Sequence, residues 1–130
     1  MKQNITGVMQ PPLTTAGQYD HVAADAYLMK HTGTTALMVM NEQTGQPAGI
    51  ITQADVARTI ADGKDPNDVR VHAAMISRPA ISTTTTLRDA AEIMTAKHFR
   101  HLPVAGDTGL LGVIDVADVC RALSKLETAG

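Results

Sequence analysis

An eight-residue motif occurs twice in this chain and constrains its fold more than any other feature. It reads G-I-I-T-Q-A-D-V from Gly49 to Val56 and G-V-I-D-V-A-D-V from Gly112 to Val119, 63 residues further on. In each copy, β-branched residues typical of a strand run directly into a Thr or Asp that favours a helix N-cap. A carboxylate follows three positions later, where the helix dipole favours negative charge. The chain is therefore predicted to contain two similar halves, each with a strand leading into a capped helix.

These strand-to-helix junctions have two interpretations. In the first interpretation, the sole role of these residues is to cap the helices that follow, with Thr52 and Asp55 in one copy and Asp115 and Asp118 in the other. The same hydroxyl, free backbone amides and carboxylate can also hold a phosphate and a sugar diol. Repetition of the whole arrangement makes ligand binding a hypothesis to weigh against helix capping alone.

Composition limits the class of protein. The 130 residues are 44% hydrophobic and 18% charged, which predicts a globular chain. Aromatic residues make up only 2% and there is no basic run, so a nucleic-acid or anionic-membrane surface is not expected. No stretch reaches about 18 consecutive apolar residues and none resembles a signal peptide, so we expect a cytoplasmic protein without a membrane segment.

The predicted helices and strands follow one another in the same order in both halves of the chain. The first half is predicted to hold a brief strand, a helix ended by Gly33, two strands and a final helix, at residues 13–15, 20–33, 35–40, 47–52 and 52–62. The second half follows with a helix capped by Thr86 and a last helix that reaches about Leu126. The apolar faces of the first three helices are expected at Val22, Ala23, Ala26 and Met29, at Val56, Ala57 and Ile60, and at Leu87, Ala90, Ala91 and Met94.

A polar segment broken by Pro66 marks the boundary between the halves. We place repeat 1 at residues 1–63, a linker at 64–70 and repeat 2 at 71–130. Because one half cannot bury a three-stranded sheet on both faces, the halves are expected to pack about a pseudo-twofold axis. The predicted fold class is α/β (α+β), with both motif copies lining a groove on that axis.

Over essentially its whole length the chain resembles a tandem pair of CBS domains, also called a Bateman module. The resemblance is carried by the two motif copies, by the R-H-L-P-V run from Arg100 to Val104 and by the A-A-x-x-M helices. It implies two repeats, each a small three-stranded sheet with two helices. It also implies a regulatory sensor that binds AMP, ADP, ATP or S-adenosylmethionine and dimerises, so neither catalysis nor a required cofactor is expected.

The resemblance further implies two crossed ligand sites, each built from both repeats. In the first, Asp55 accepts from the ribose hydroxyls, Thr52 donates to a phosphate, and a charged pair before the L-P-V run contacts the phosphates. Its predicted residues are Ile50, Thr52, Asp55, Pro79, Ala80, Ile81, Arg100 and His101. The second site lacks a cation and has a carboxylate at the phosphate position, so we expect it to be empty or weak, or to take a neutral or cationic adenosine moiety. Its predicted residues are Leu13, Thr14, Thr35, Ala36, Val113, Asp115 and Asp118.

Two other functions stay open. In one, the chain is a ligand-independent dimerisation module; in the other, it is a metal-dependent enzyme. Arg100 and His101 occur in one half only and favour ligand binding, because a helix cap needs neither. His98 and His101 flank a helix-to-strand junction, so a metal site is not expected. The expected partners are an adenosine ligand, an unidentified regulated protein, and a second copy packed on the apolar faces that include Val22, Ala26 and Met29, and Leu87, Ala91 and Met94.

Overall fold

The structure is a computed structural model that describes residues 4–129, with side chains up to residue 125. Helices and strands follow one another in two similar series, as the motif repeat predicts. The elements are α1 (Ile5–Val8), β1 (Thr15–Gly17), α2 (Val22–Thr32), β2 (Ala36–Met40), β3 (Pro47–Thr52), α3 (Gln53–Ala61), α4 (Val71–Ala74), β4 (Ile76–Ser77), α5 (Leu87–Lys97), β5 (His101–Gly106), β6 (Gly109–Asp115) and α6 (Val116–Ala129).

The chain forms two compact units that exchange their leading segments. The continuous unit comprises residues 13–78, and the split unit comprises residues 4–12 together with 79–129. The short helix α1 therefore packs with the second half of the sequence, and α4 packs with the first half. The repeat limits 1–63, 64–70 and 71–130 stay a prediction, and residues 1–3 and 130 lie outside the described part of the chain.

The continuous unit contains a four-stranded sheet in the order β1-β2-β3-β4. β1 and β2 are parallel, whereas β3 is antiparallel to both of its neighbours. The bounds of β3 match the predicted strand, and β4 is added by the exchanged segment. A Cβ at Gly49 would lie 2.8 Å from the carbonyl oxygen of Ile76, so glycine is required where β4 crosses. The core consists of Ala16, Val22, Met29, Leu37, Val39, Ile51 and Val71.

The split unit repeats this plan with fewer regular strands. β5 and β6 form an antiparallel pair, which is extended by bridges from Ile81 to Val104 and from Gln10 to Val113. A Cβ at Gly112 would lie 2.6 Å from the carbonyl oxygen of Gln10. The repeated glycine therefore marks the point where each exchanged segment crosses its sheet. The core consists of Ile5, Val8, Ile81, Leu87, Ala90, Met94, Leu102, Val104, Ile114, Val119 and Ala122.

The segment predicted as a linker caps α2. The N-cap residue His21 makes no side-chain capping bond. Instead, Val22 N donates to Val69 O at 2.8 Å and Ala23 N donates to Pro66 O at 3.0 Å, so backbone carbonyls satisfy the first-turn amides. For this reason α2 begins at Val22, after the predicted start at Asp20.

Two equivalent helices end in the left-handed conformation. Gly33 follows α2 with φ +69, which confirms the predicted C-terminal stop. His98 follows α5 at the equivalent position with φ 57, a conformation that costs a residue with a Cβ about 1–2 kcal/mol.

The predicted buried face of α3 is wrong at two positions. Ala57 is exposed and Ile60 has 59% of its surface exposed, whereas Asp55 and Thr59 are buried. Thr59 Oγ1 donates to Asp55 O at 3.0 Å, so polar groups on the inner face are hydrogen-bonded to each other. The face of α5 is confirmed, since Leu87, Ala90 and Met94 are buried, and α6 continues past the predicted end to Ala129.

Asp25 is a buried carboxylate that the apolar pattern did not predict. It has 1% of its surface exposed, and its Oδ2 has no hydrogen-bond partner among residues 4–129. Burial raises the pKa of Asp25 to about 7, assisted by a hydrogen bond with the Asp20 side chain and by its negative charge. The inner face of α2 thus carries an ionisable group next to Val22 and Met29.

Candidate ligand-binding site

The junction of β3 and α3 is a complete capping box. Thr52 is the last residue of β3 in extended conformation, and its Oγ1 accepts from Asp55 N at 3.3 Å. In return, Asp55 Oδ2 accepts from Thr52 N at 2.9 Å and from Thr52 Oγ1 at 3.2 Å. Each of the two backbone amides, Thr52 N and Asp55 N, thus donates to the side chain of the other residue. The capping role predicted for Thr52 and Asp55 is therefore confirmed.

Asp55 lies among positive charges that the sequence analysis missed. Its carboxylate, within a residue only 1% exposed, accepts from Arg58 Nη2 through Oδ1. The buried Arg78 donates from Nη1 to Ile50 O at 3.1 Å. Burial lowers the pKa of the Arg78 guanidinium, and the charge of Asp55 partly opposes that shift. Asp55 is thus a pre-oriented, charge-compensated acceptor next to the strand that carries Ile50.

The ion pair between Asp55 and Arg58 has a counterpart in the split unit. Asp118 Oδ1 accepts from Arg121 Nη1 at 2.9 Å, and Asp118 Oδ2 accepts from Gln10 Nε2 at 3.3 Å. The spacing that would have revealed both pairs is D-V-x-R, which extends each copy of the motif by two residues, to Arg58 and Arg121. An aspartate three residues before an arginine on a helix places the two side chains on one face.

The second motif copy uses a different cap. Asp115 ends β6, and its Oδ1 accepts from Ala117 N at 2.6 Å, which confirms the N-cap role considered for this residue. Asp115 Oδ2 also lies 3.4 Å from His101 Nε2. The two residues are opposite each other in the β5–β6 register, so this contact follows from the hairpin. A side chain assigned to the first predicted site therefore lies against a carboxylate assigned to the second.

The units divide the predicted site residues. The continuous unit carries seven of them: Leu13, Thr14, Thr35, Ala36, Ile50, Thr52 and Asp55. The split unit carries the other eight: Pro79, Ala80, Ile81, Arg100, His101, Val113, Asp115 and Asp118. Within the continuous unit, Ala36 pairs with Thr52 across β2 and β3, although the two were assigned to different sites. Thr14, Thr35, Pro79, Ala80 and Arg100 are exposed, whereas Ile50 and Ile81 are buried.

The described residues also bear on metal binding and on membrane insertion. In the described part of the chain, no three His, Cys, Asp or Glu side chains come together in a way that could hold a metal ion. Among the helices of residues 4–129, none is both long and apolar enough to cross a membrane.

Comparison with known proteins identifies the family. A model of the CBS domain matches residues 5–62 and 69–125, so the chain belongs to the CBS domain family and carries two such domains. The uncharacterized protein MK0525 of Methanopyrus kandleri is 32% identical over 100 residues, which cover 74% of this chain and 50% of that protein. This chain therefore spans about half the length of that curated relative.

Solved structures show the same fold. The CBS domain protein PAE2072 from Pyrobaculum aerophilum, complexed with AMP, has a TM-score of 0.80 at 20% identity, over 97% of this chain and 99% of that one. The CBS domain pair of protein MJ0100, in complex with 5′-methylthioadenosine and S-adenosyl-L-methionine, has a TM-score of 0.78 at 19% identity, over 97% and 99% of the two chains. The mixed α+β fold class expected from the sequence is confirmed.

Proposed function

We propose that this CBS-domain pair is a regulatory sensor that binds an adenosine ligand at the Thr52–Asp55 junction. The observation that carries the proposal is the capping box, because it fixes a hydroxyl and a carboxylate at a helix N-terminus. The complexes of related folds with AMP and with S-adenosyl-L-methionine support this ligand class. The candidates are AMP, ADP, ATP and S-adenosylmethionine, and occupancy is passed to a partner protein in the cytoplasm.

Asp55 is proposed to accept from the ribose hydroxyls. Its carboxylate already faces Thr52 and Arg58, so its orientation is set before a ligand arrives. Preorganisation of this kind lowers the entropy cost of binding. Arg100, predicted to act on the phosphates, is exposed on the segment before β5. We propose that the Arg100 guanidinium binds the phosphates, because it can donate to two phosphate oxygens at once.

Calorimetry on variants tests the assignment. Bonds that involve a charged partner are worth roughly 1.5–3 kcal/mol, so Asp55→Ala should weaken adenosine-ligand binding by about ten- to a hundred-fold or more. Asp118→Ala should leave binding almost unchanged, and Arg100→Ala should weaken AMP and ATP but spare adenosine. Damage from Asp118→Ala with a silent Asp55→Ala would refute the assignment.

Asp89→Ala is the matched control for loss of a first-turn carboxylate. Asp89 follows the cap residue Thr86 by three positions, and Thr86 Oγ1 accepts from its backbone amide at 3.0 Å. The side chain is exposed and belongs to no predicted site. If Asp89→Ala weakened ligand binding as much as Asp55→Ala does, the loss of binding in Asp55→Ala would be due to reduced helix stability.

We also propose that the chain associates as a homodimer, but through other side chains than those assigned to the contact from the sequence. Val22, Met29, Leu87 and Met94 were assigned to the dimer but are buried in the cores of their own units. Among the described side chains, the exposed large hydrophobic ones are Tyr19, Tyr27, Ile60, Ile76 and Leu111, and we propose Ile60 on the outer face of α3 as a contact of the dimer. Light scattering at tens of micromolar should give a dimer mass, and a monomer would exclude this element of the proposal.

A further inference from the structure

The Asp55 carboxylate is covered by groups of its own unit. Its side chain is 2% exposed, and it accepts hydrogen bonds from Thr52 N, Thr52 Oγ1 and Arg58 Nη2. An ionised carboxylate can accept about four hydrogen bonds, so most of its acceptor positions are occupied. A ribose diol brings two donors. Binding of the diol to Asp55 therefore requires at least one of the present donors to move away.

Arg58 is the donor that can move away at the lowest cost. Thr52 is held in the capping box, because its Oγ1 also accepts from Asp55 N and its own N is part of the backbone. The Arg58 side chain is 51% exposed and lines a groove of about 200 Å³ between α3 and α4. Burial lowers the pKa of Arg78 and the charge of Asp55 acts in the opposite direction, so these two groups interact. Asp55 therefore keeps a neighbouring cation when Arg58 moves.

Arg58 also connects Asp55 to the exchanged helix α4. Its Nη2 donates to Ala74 O at 3.2 Å as well as to Asp55 Oδ1, so one nitrogen joins both acceptors. Ala74 is the last residue of α4, and the next amide, Met75 N, closes this helix by donating to Val71 O at 2.8 Å. β4 follows immediately. Movement of Arg58 away from Asp55 therefore changes the hydrogen bonding where α4 leads into β4.

The split unit contains a comparable connection. Asp118 Oδ2 accepts from Gln10 Nε2 at 3.3 Å, and Gln10 follows α1 in the exchanged segment of that unit. Here the side chain of the exchanged segment contacts the aspartate directly. Each motif aspartate is thus linked to the exchanged segment of its own unit, and at Asp55 the link is Arg58.

We infer that the ion pair of Arg58 with Asp55 is an autoinhibitory contact, which the ribose hydroxyls of a ligand replace and whose loss alters the hydrogen bonding of α4. The inference rests on the proposed function, since it takes Asp55 as the ribose acceptor. It adds that the ligand competes with a side chain of the protein and that α4 responds to occupancy. A cation that supported the ligand would strengthen binding, whereas a competing cation weakens it. The two roles therefore predict opposite effects of removing Arg58.

Calorimetry with adenosine tests the competition. Arg58→Met removes the guanidinium but keeps an unbranched apolar stem, and it should bind adenosine about three- to ten-fold more tightly, because the ligand no longer has to break the ion pair. Arg58→Lys keeps the charge but loses the forked donors, so its affinity should lie between those of the wild type and Arg58→Met. Weaker or unchanged binding by Arg58→Met would overturn the inference.

Arg88→Met is the matched control for the loss of one guanidinium. Arg88 is exposed on α5 and belongs to no predicted site. This variant makes the same change of side chain and charge, and it should alter the affinity for adenosine by less than about two-fold. An equal gain in Arg88→Met and Arg58→Met would show a general effect of net charge and refute the competition at Asp55.

The connection to α4 is tested by ¹H–¹⁵N spectra. Met75 N and Ala74 O belong to the same peptide group, so the Met75 amide should shift when the bond from Arg58 is lost. In samples without adenosine, Arg58→Met and Asp55→Asn should each displace this resonance. In the wild type, adenosine should displace it along the same saturation curve as the Thr52 amide. If neither substitution displaces the Met75 resonance, the connection is refuted whatever the ligand does.

Two outcomes separate this inference from the proposed function. If adenosine shifts the amides of Thr52 and Asp55 but leaves that of Met75 unchanged, the inference is refuted and the proposed function stands. If neither the wild type nor Arg58→Met binds adenosine, AMP, ATP or S-adenosylmethionine, the proposed function is refuted, and the competition at Asp55 with it. Binding by Arg58→Met where the wild type shows none would support both.

Discussion

Asp25→Asn should remove the pH dependence that one buried carboxyl imposes on stability. The pKa of Asp25 is raised from its ordinary value of 3.8 to about 7 in the folded chain, mainly by burial. The folded state therefore holds a proton that the unfolded state releases. Stability is fully present below pH 3.8 and is lost as the pH rises through about 7.

The size of the loss follows from the difference between the two pKa values. Each pKa unit corresponds to about 1.4 kcal/mol, so the total loss is about 4 kcal/mol, and more than half of it falls between about pH 5 and 8. Asn keeps the shape of the carboxyl but does not titrate. At pH 8 the variant should be more stable than the wild type by a large part of that amount, and near pH 4.5 the advantage should fall to about a quarter of it.

Urea unfolding followed by far-ultraviolet circular dichroism measures this, because the chain contains no Trp. Protein concentration is held constant so that association does not enter the comparison. The difference in unfolding free energy between wild type and Asp25→Asn should grow steadily from pH 4.5 to 8. Asp20→Asn is the control. Removing the neighbouring negative charge should lower the folded-state pKa of Asp25 and so reduce the stability that is lost as the pH rises. A difference that is constant with pH, or one that shrinks as the pH rises, would refute the reasoning.

The repeated glycines and the helix ends give further tests by thermal unfolding. Gly112→Ala should destabilise the chain by about 1–3 kcal/mol, because the new Cβ meets a backbone oxygen at 2.6 Å. Gly106→Ala is its control, since the nearest atom is the flexible Leu111 Cδ1 at 3.1 Å; equal losses would contradict the close-approach argument. His98→Gly should stabilise by about 0.5–1 kcal/mol, and Gly33→Ala should cost about 1 kcal/mol, because both positions are left-handed. A destabilising His98→Gly, or a Gly33→Ala that costs nothing, would exclude backbone strain as the cause.

Local features of the fold were predictable because their causes are local. The bounds of β3, the Thr52 cap, the Gly33 stop and the buried face of α5 each depend on residues within a few positions of one another. The exchange of the short helices was not predictable in this way. The bridge between Gln10 and Val113 joins residues far apart in sequence, and no local pattern distinguishes it from pairing within the same half.

Polar residues on inner faces explain the remaining errors. Asp25, Asp55 and Thr59 are buried through specific partners or through a shifted pKa, and apolar periodicity cannot register either cause. The exposure of Ile60 follows, because Asp55 and Thr59 occupy the inner face of α3.

The candidate site was predictable in its carboxylates but not in their partners. Arg58 and Arg121 were missed although D-V-x-R is repeated in the sequence. The contact between His101 and Asp115 depends on the β5–β6 register, which includes an irregularity between Val104 and Ala105. Register of this kind is a tertiary property, so the sequence could place both residues at strand ends without pairing them.

The exchanged segments bear on how such a chain could arise. Gly49 and Gly112 each lie under an extended segment contributed by the other half of the sequence, β4 over Gly49 and the bridge residue Gln10 over Gly112. An ancestor that carried one copy would have had to receive this covering segment from a second molecule, since its own leading segment would cover its partner. Duplication and fusion would then turn an obligate swap between two chains into an internal one. The descendant could no longer be cut at the repeat boundary, because either fragment would carry away the segment that closes the other.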